Sequence, residues 1–264
     1  MKIIVCVKQV PDTTEVRLDP KTNTLIREGV PSIMNPDDKA AVETALRIKD
    51  EHEDVHVTIL SMGPPQAEDV LREALAMGAD DGILVTDRAF GGADTWATSC
   101  TIAGALRTAG DYDLIITGRQ AIDGDTAQVG PQIAEHLGLP QVTYAEDLSV
   151  KGDVVTVKRQ FEDRYHIVDV KMPCLITALT ELAEPRYMTV GGVFDAYKQD
   201  LTIWGLDDIK DNLNLDDIGL KGSPTRVVQS YPKQGKGQGE KLTNVTPEEA
   251  ARAIIAKLQE KYII

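Results

Sequence analysis

LIITGRQAIDGDTAQVGPQ, residues 114–132, decides the fold. Leu114, Ile115, Ile116 and Thr117 make a short apolar run of the kind that lies in a parallel sheet covered on both faces. A Gly-containing polar loop follows, and beyond it Val129, Ile133, Ala134 and Leu137 recur at helical spacing up to Gly138. Strand, loop and helix start thus come in the order of an α/β unit. Such a unit holds ligands just beyond the strand's carboxyl end, where loop N–H groups and the positive end of the helix dipole converge. Gly118 and Gly124 allow close backbone approach, Asp125, Thr126 and Gln128 supply hydrogen-bonding groups, and a phosphate-bearing ligand fits best. The same residues also read as an ordinary connection in which Asp123 or Asp125 merely caps the helix. Pro131 must fall in the first helical turn or kink the helix, since proline deeper in a helix costs about 3 kcal/mol.

Working outward, strand-like segments at 2–7, 55–61, 82–86, 113–117 and 141–144 alternate with helix-like ones at 66–77, 94–109 and 126–137. This βαβα rhythm predicts a doubly wound, mainly parallel, Rossmann-like sheet. Residues 16–29 interrupt it with two short strands around a Pro-Lys-Thr-Asn turn, a predicted hairpin. Asn35 then stands as N-cap, Pro36 at the first helical position, and Asp37 and Asp38 at the dipole's positive end, ahead of a helix that buries Ala41, Val42, Ala45 and Leu46. From about residue 147 the segments 148–150, 154–160, 165–170 and 174–179 are closely spaced around a Lys-Gly-Asp turn, so an antiparallel extension is expected. Residues 181–200 show no clear period. Residues 205–240 are rich in Asp, Gly, Lys and Gln, and PKQGKGQGEK reads as flexible or partner-dependent chain. Thr246 to Tyr262 recovers a capped helix with Ala250, Ala253, Ile254 and Leu258 on one stripe. The expected division is therefore an α/β domain over 1–200 and an extended C-terminal arm over 201–264 whose helix either folds back or docks on a partner subunit.

The 264 residues suffice for one sizeable core, and 42% hydrophobic content is ordinary for a globular protein. A formal charge of −14 and a pI near 4.7 argue against nucleic acid or an anionic membrane as partner. No apolar run is long enough for membrane insertion, and MKIIVCVKQV reads as a strand, so a cytoplasmic location is expected. Cys6, Cys100 and Cys174 lie far apart, with neither metal-ligand nor disulfide spacing. No Ser/His/Asp set can be assembled from His52, His56, His136 and His166, so hydrolysis is not indicated. DRAFGGADTWATS, residues 87–99, makes a second glycine loop (Gly91, Gly92, Ala93) ahead of a helix capped by Asp94 and begun by Thr95; it suits a second anion, or is simply a capped turn.

GRQAIDGDTAQVGPQIAEHLGLP closely resembles the signature of the electron-transfer flavoprotein β-subunit family, and VKQVPD (7–12), MNPDDKAAVETAL (34–46), LREALAMGAD (71–80) and EPRY (184–187) agree in order. The resemblance covers nearly the whole chain and implies an adenine nucleotide held by Cys6, Asn35, Pro36, Asp37, Asp38 and Met62. It extends to Gly118, Arg119, Gln120, Ala121, Ile122, Asp123, Gly124, Asp125, Thr126, Ala127, Gln128 and Val129. The GGADT form, Gly91 to Thr95, is similar to that of electron-bifurcating members, which implies NADH contact there and FAD, where simpler carriers hold AMP. The segment 180–199 matches the family's recognition loop, with Leu182 as its hydrophobic anchor. Implied partners are the α subunit, an acyl-CoA dehydrogenase, and ferredoxin or flavodoxin as low-potential acceptor. The rivals are a non-bifurcating carrier with structural AMP and, given a weak similarity of the GGADT loop to ATP pyrophosphatases, a free-standing nucleotide-binding regulator or pyrophosphatase.

Overall fold

The computed structural model describes residues 1–12, 31–228, 237 and 239–264; the predicted hairpin at 16–29 and most of PKQGKGQGEK lie outside them. Residues Met1–Val227 form one compact unit and Val228–Ile264 another. In the first, strand β1 (Lys2–Val7) leads to a short antiparallel pair, β2 (Gln9–Pro11) and β3 (Ser32–Met34), then helix α1 (Pro36–Glu51). Strand β4 (His56–Met62), helix α2 (Glu68–Met77), β5 (Asp81–Val85), α3 (Thr95–Ala109), β6 (Leu114–Gly118) and α4 (Val129–Leu137) continue the predicted alternation. Next come β7 (Gln141–Lys151), β8 (Val154–Gln160), β9 (Tyr165–Lys171) and β10 (Cys174–Ala178).

Among the described residues the main sheet runs β11-β5-β4-β1-β6-β10-β7-β8-β9, where β11 is Thr202–Trp204. It is parallel as far as β7, and β7, β8 and β9 form the expected antiparallel extension. Alternation along β1 shows why its sequence is uniformly apolar. Ile3, Val5 and Val7 join the core beneath α1 and α2, while Ile4 and Cys6 join the core beneath α3 and α4. The sheet is therefore doubly wound. From β1 the chain steps outward through β4 to β5, then crosses to β6 on the other side. The crevice beyond the carboxyl ends of β1 and β6 is the topological switch point, where ligands of such sheets bind.

Two readings need correction. The arm was placed from residue 201, yet β11 pairs with β5 and Ile209 and Ile218 are buried in the α3/α4 core beside Trp204, Leu206 and Leu213. A three-residue edge strand followed by single turns, α6 (Leu206–Ile209) and α7 (Gly219–Gly222), is too short to display a period. Likewise the patternless 181–200 contains α5 (Val190–Ala196), capped by Thr189. The second unit carries α8 (Pro247–Glu260), with the Thr246/Glu249 capping box in place and no residue of the helix buried. No helix among the described residues is long and apolar enough to cross a membrane.

Candidate functional site

The floor of the switch-point crevice is a network of buried polar side chains. Asn35 occupies the N-cap position of α1 without capping it. Its amide reaches across the crevice, donating to the Gln120 carbonyl at 2.8 Å and accepting from the Ile122 N–H at 3.0 Å. Asp38, at the positive end of the helix dipole, accepts the Lys8 N–H at 2.8 Å and the Gly118 N–H at 2.9 Å, tying the end of β1 to the end of β6. Burial, opposed by these bonds and reinforced by Asp37, pushes its carboxyl up to about 7. Asp37 is also raised by burial, with Arg119 opposing. Its carboxylate lies 3.4 Å from Arg119 Nε without hydrogen-bond geometry, so this is a Coulombic contact only. Lys8 Nζ pairs with Asp123 at 2.7 Å. Burial and Asp38 push the Cys6 thiol up to about 12, so it serves as a protonated, apolar wall.

Above this floor the loop turns tightly. The Gly124 and Asp125 N–H groups donate to the Ala121 carbonyl, and Gln120 Nε2 donates to Asp125 at 2.8 Å. Asp125 and Ala127 adopt left-handed backbone with φ of 49° and 52°. Two such non-glycine residues within three positions store strain of the kind found at ligand sites. Neither Asp123 nor Asp125 caps α4. Its N-cap is Gln128, whose side chain makes no capping bond, so among the described residues the first-turn N–H groups of α4, those of Val129 and Gly130, have no side-chain partner. Pro131 falls in that first turn, as required.

The glycines divide by role. A Cβ on Gly118 would sit 2.1 Å from Asp38 Oδ1, so this glycine makes room for Asp38 and not for a ligand, contrary to the sequence reading. A Cβ on Gly124 would meet nothing within 4 Å. Gly130, which sequence reasoning passed over, brings the start of α4 down onto β6 and β10, where a Cβ would lie 2.6 Å from Thr117 Oγ1 and 2.8 Å from Thr177 Cγ2. Met62 and Val129, half-buried, pack on the core that contains Cys6 and complete an apolar shelf at the carboxyl edge.

The second glycine loop adjoins the first. Thr95 Oγ1 donates to Gln128 Oε1 at 3.0 Å. Asp94 caps α3 through the Ala97 N–H at 3.1 Å, and its other oxygen accepts the Thr225 N–H and hydroxyl. Burial would raise the Asp94 carboxyl, but these bonds hold it below the usual range. Gly92 has φ of +72° and faces Leu220, so its missing side chain serves the chain's own packing.

Leu182 is not an exposed knob. It is 9% exposed and packs in the α1/α2 core, because Arg186 draws EPRY onto α1 through Glu43 at 2.8 Å and Asp50 at 2.7 Å. The exposed apolar side chains of this segment are Tyr187 (97%), Val190 (90%), Phe194 (68%), Tyr197 (68%), Met188 (45%) and Val193 (37%). Elsewhere, His136 Nε2 lies 3.1 Å from Ser99 Oγ and 3.4 Å from Cys100 Sγ. Ser99 is fully buried and burial pushes the Cys100 thiol up to about 11, so neither is an activated nucleophile. No group of three potential metal ligands occurs among the described residues.

Residues 22–202 match the electron transfer flavoprotein domain family. The chain is 55% identical, over the full length of both, to caffeyl-CoA reductase-Etf complex subunit CarD of Acetobacterium woodii. It is 56% identical to the electron transfer flavoprotein subunit beta of Clostridium acetobutylicum, again over the full length of both. This chain belongs to the electron-transfer flavoprotein β-subunit family. A further relative, 49% identical with both chains covered in full, is the acryloyl-CoA reductase electron transfer subunit gamma of Anaerotignum propionicum. The relatives are thus subunits of electron-transfer complexes, and flavin or nucleotide association follows from the family. The residues present in this β subunit fit such a group: uncapped α4 donors for phosphate, open space at Gly124, and the Cys6/Met62/Val129 shelf for a ring.

Proposed function

We propose that this chain is the nucleotide-holding β subunit of a heterodimeric, electron-bifurcating electron-transfer flavoprotein, with FAD at the 118–129 loop and NADH as substrate at the adjoining Gly91–Thr95 loop. The observation that carries the reading is the uncapped α4 N-terminus at the switch point, joined through Gln128 to Thr95 at the start of α3. A flavin held there would supply the redox chemistry: acceptance of hydride from NADH and one-electron transfer both to ferredoxin or flavodoxin and to the α-subunit FAD that would serve an acyl-CoA dehydrogenase. The chain's own residues bind and orient. The first-turn N–H groups of α4 meet the phosphates, Met62 and Val129 support the adenine, and Cys6 closes the wall beside it. Gly124 leaves room beside a diphosphate that a larger side chain would fill, which favours FAD over AMP. Asp123 and Asp125 are turned to Lys8 and Gln120, which limits their repulsion of the phosphates.

Partner docking is assigned to Tyr187, Val190 and Phe194 in place of Leu182, since a hot spot must be exposed before the complex forms. The arm ending in α8 docks on the α subunit, its Ile254 and Ile255 being 57% and 47% exposed. Cofactor extraction from the purified heterodimer tests the central assignment: two FAD per heterodimer support it, whereas one FAD and one AMP replace it with the non-bifurcating carrier.

A further inference from the structure

The nucleotide loop is held from beneath by two side chains that face the protein on every side. Asn35 is 0% exposed, and its amide is engaged by the Gln120 carbonyl and the Ile122 N–H. Asp38 is 6% exposed, with one oxygen on the Lys8 N–H and the other on the Gly118 N–H. The missing Cβ of Gly118 is filled by the same carboxylate. Two strand ends and two loop residues therefore converge on one buried pair.

We infer that Asn35 and Asp38 are positioning residues that fix the 118–128 loop above the crevice between β1 and β6. This rests on the nucleotide reading above. Asp38 holds both strand ends only as a carboxylate, because a protonated carboxyl trades one acceptor oxygen for a donor and releases one N–H. The groups facing it are Cys6 on β1 and Asp37 on α1, with Arg119 behind Asp37 and the Lys8–Asp123 pair at the crevice mouth. Burial places the Asp38 carboxyl near 7. Nucleotide retention is then greatest above that pH and falls as pH drops through it, by about tenfold between pH 8 and pH 6 for one ionising site.

The test uses the purified heterodimer of the wild type, Asp38→Asn and Asn35→Ala. It measures nucleotide dissociation from pH 6 to 8, thermal stability, and hydrogen exchange of residues 118–128 after nucleotide removal. Asp38→Asn also removes a buried charge, so its melting temperature is expected to hold while dissociation quickens about tenfold and loses its pH dependence. Both variants should exchange faster at 118–128 without nucleotide, which a side chain that only touched the ligand would not cause. Wild-type exchange in both variants, or a pH slope surviving in Asp38→Asn, overturns the inference. If Asp38→Asn does not fold, Asn35→Ala and the wild-type pH profile decide the matter. A wild-type heterodimer with no nucleotide in this subunit at any pH refutes the nucleotide reading instead.

Discussion

Replacing Gly124 by glutamate separates a diphosphate site from an ordinary turn. The position is exposed, its backbone is outside the left-handed region, and a Cβ there meets no atom within 4 Å. Gly124→Ala should accordingly leave the fold intact or stabilise it by about 0.4–1 kcal/mol through the unfolded chain. A glutamate carboxylate about 6 Å from a phosphate charge, at an effective dielectric near 20, is repelled by roughly 3 kcal/mol. That corresponds to about a hundredfold weaker binding. The assay is nucleotide extracted per heterodimer, with thermal denaturation alongside. Gly124→Ala should stay loaded and Gly124→Glu should lose the nucleotide of this subunit at an unchanged melting temperature. A fully loaded Gly124→Glu heterodimer would refute the placement of the diphosphate, and a parallel fall in melting temperature would refute the claim that the position is structurally free.

Leu182→Ala should lower stability by about 2–5 kcal/mol as a core truncation, read by denaturant unfolding. Val190→Ala and Phe194→Ala should leave stability within about 0.5 kcal/mol yet slow electron delivery to the dehydrogenase; the reverse pattern would restore Leu182 as the anchor. Burial would raise the Glu43 carboxyl, but Arg186, through its side chain and its N–H, and Arg47 together hold it below the usual range. Its stabilisation is present above the unfolded-state pKa and lost as pH falls through the lower folded value. Arg186→Ala should therefore flatten the acid limb of the stability curve and cost about 1–3 kcal/mol at neutral pH, discounted for the partial exposure of Arg186. Truncation before Lys241 should leave the melting of the α/β unit unchanged, since no α8 residue is buried, while α-subunit association measured by titration weakens.

The parts of the fold carried by local pattern were legible. The run Leu114–Thr117 with its helix marked a parallel strand, Asp94 announced α3, and Gly152, with φ of 62°, made the turn between β7 and β8. The contacts that build the site were not legible, because they join residues far apart in sequence. Asn35 looks like an N-cap until its amide is seen to bridge to Gln120 and Ile122. Gly118 and Gly124 are the same residue in one loop, yet one is required by Asp38 and the other faces open space. The resemblance puts Leu182 at a hydrophobic-anchor position, whereas the neighbouring Arg186 ties its segment to α1 and the leucine is buried. Single turns such as α6 and α7 have too few residues to repeat a pattern.

A chain of net charge −14 that holds an anion needs positive potential, and the nearby cations are already engaged, Lys8 with Asp123 and Arg119 with Asp37. The attraction must then come from backbone N–H groups at the start of α4, which Gly130 seats on β6 and β10, and from those of the loop before it, which Asn35 and Asp38 hold. Fixed dipoles at contact distance are screened far less than mobile surface lysines, because the Debye length of about 10 Å at 0.1 M salt exceeds a hydrogen bond several times over. Nucleotide retention should therefore change little between about 0.1 and 0.5 M salt while changing steeply with pH near 7, where Asp38 titrates. A steep salt dependence would mean that lysine or arginine side chains carry the binding, and that the α4 N-terminus does not.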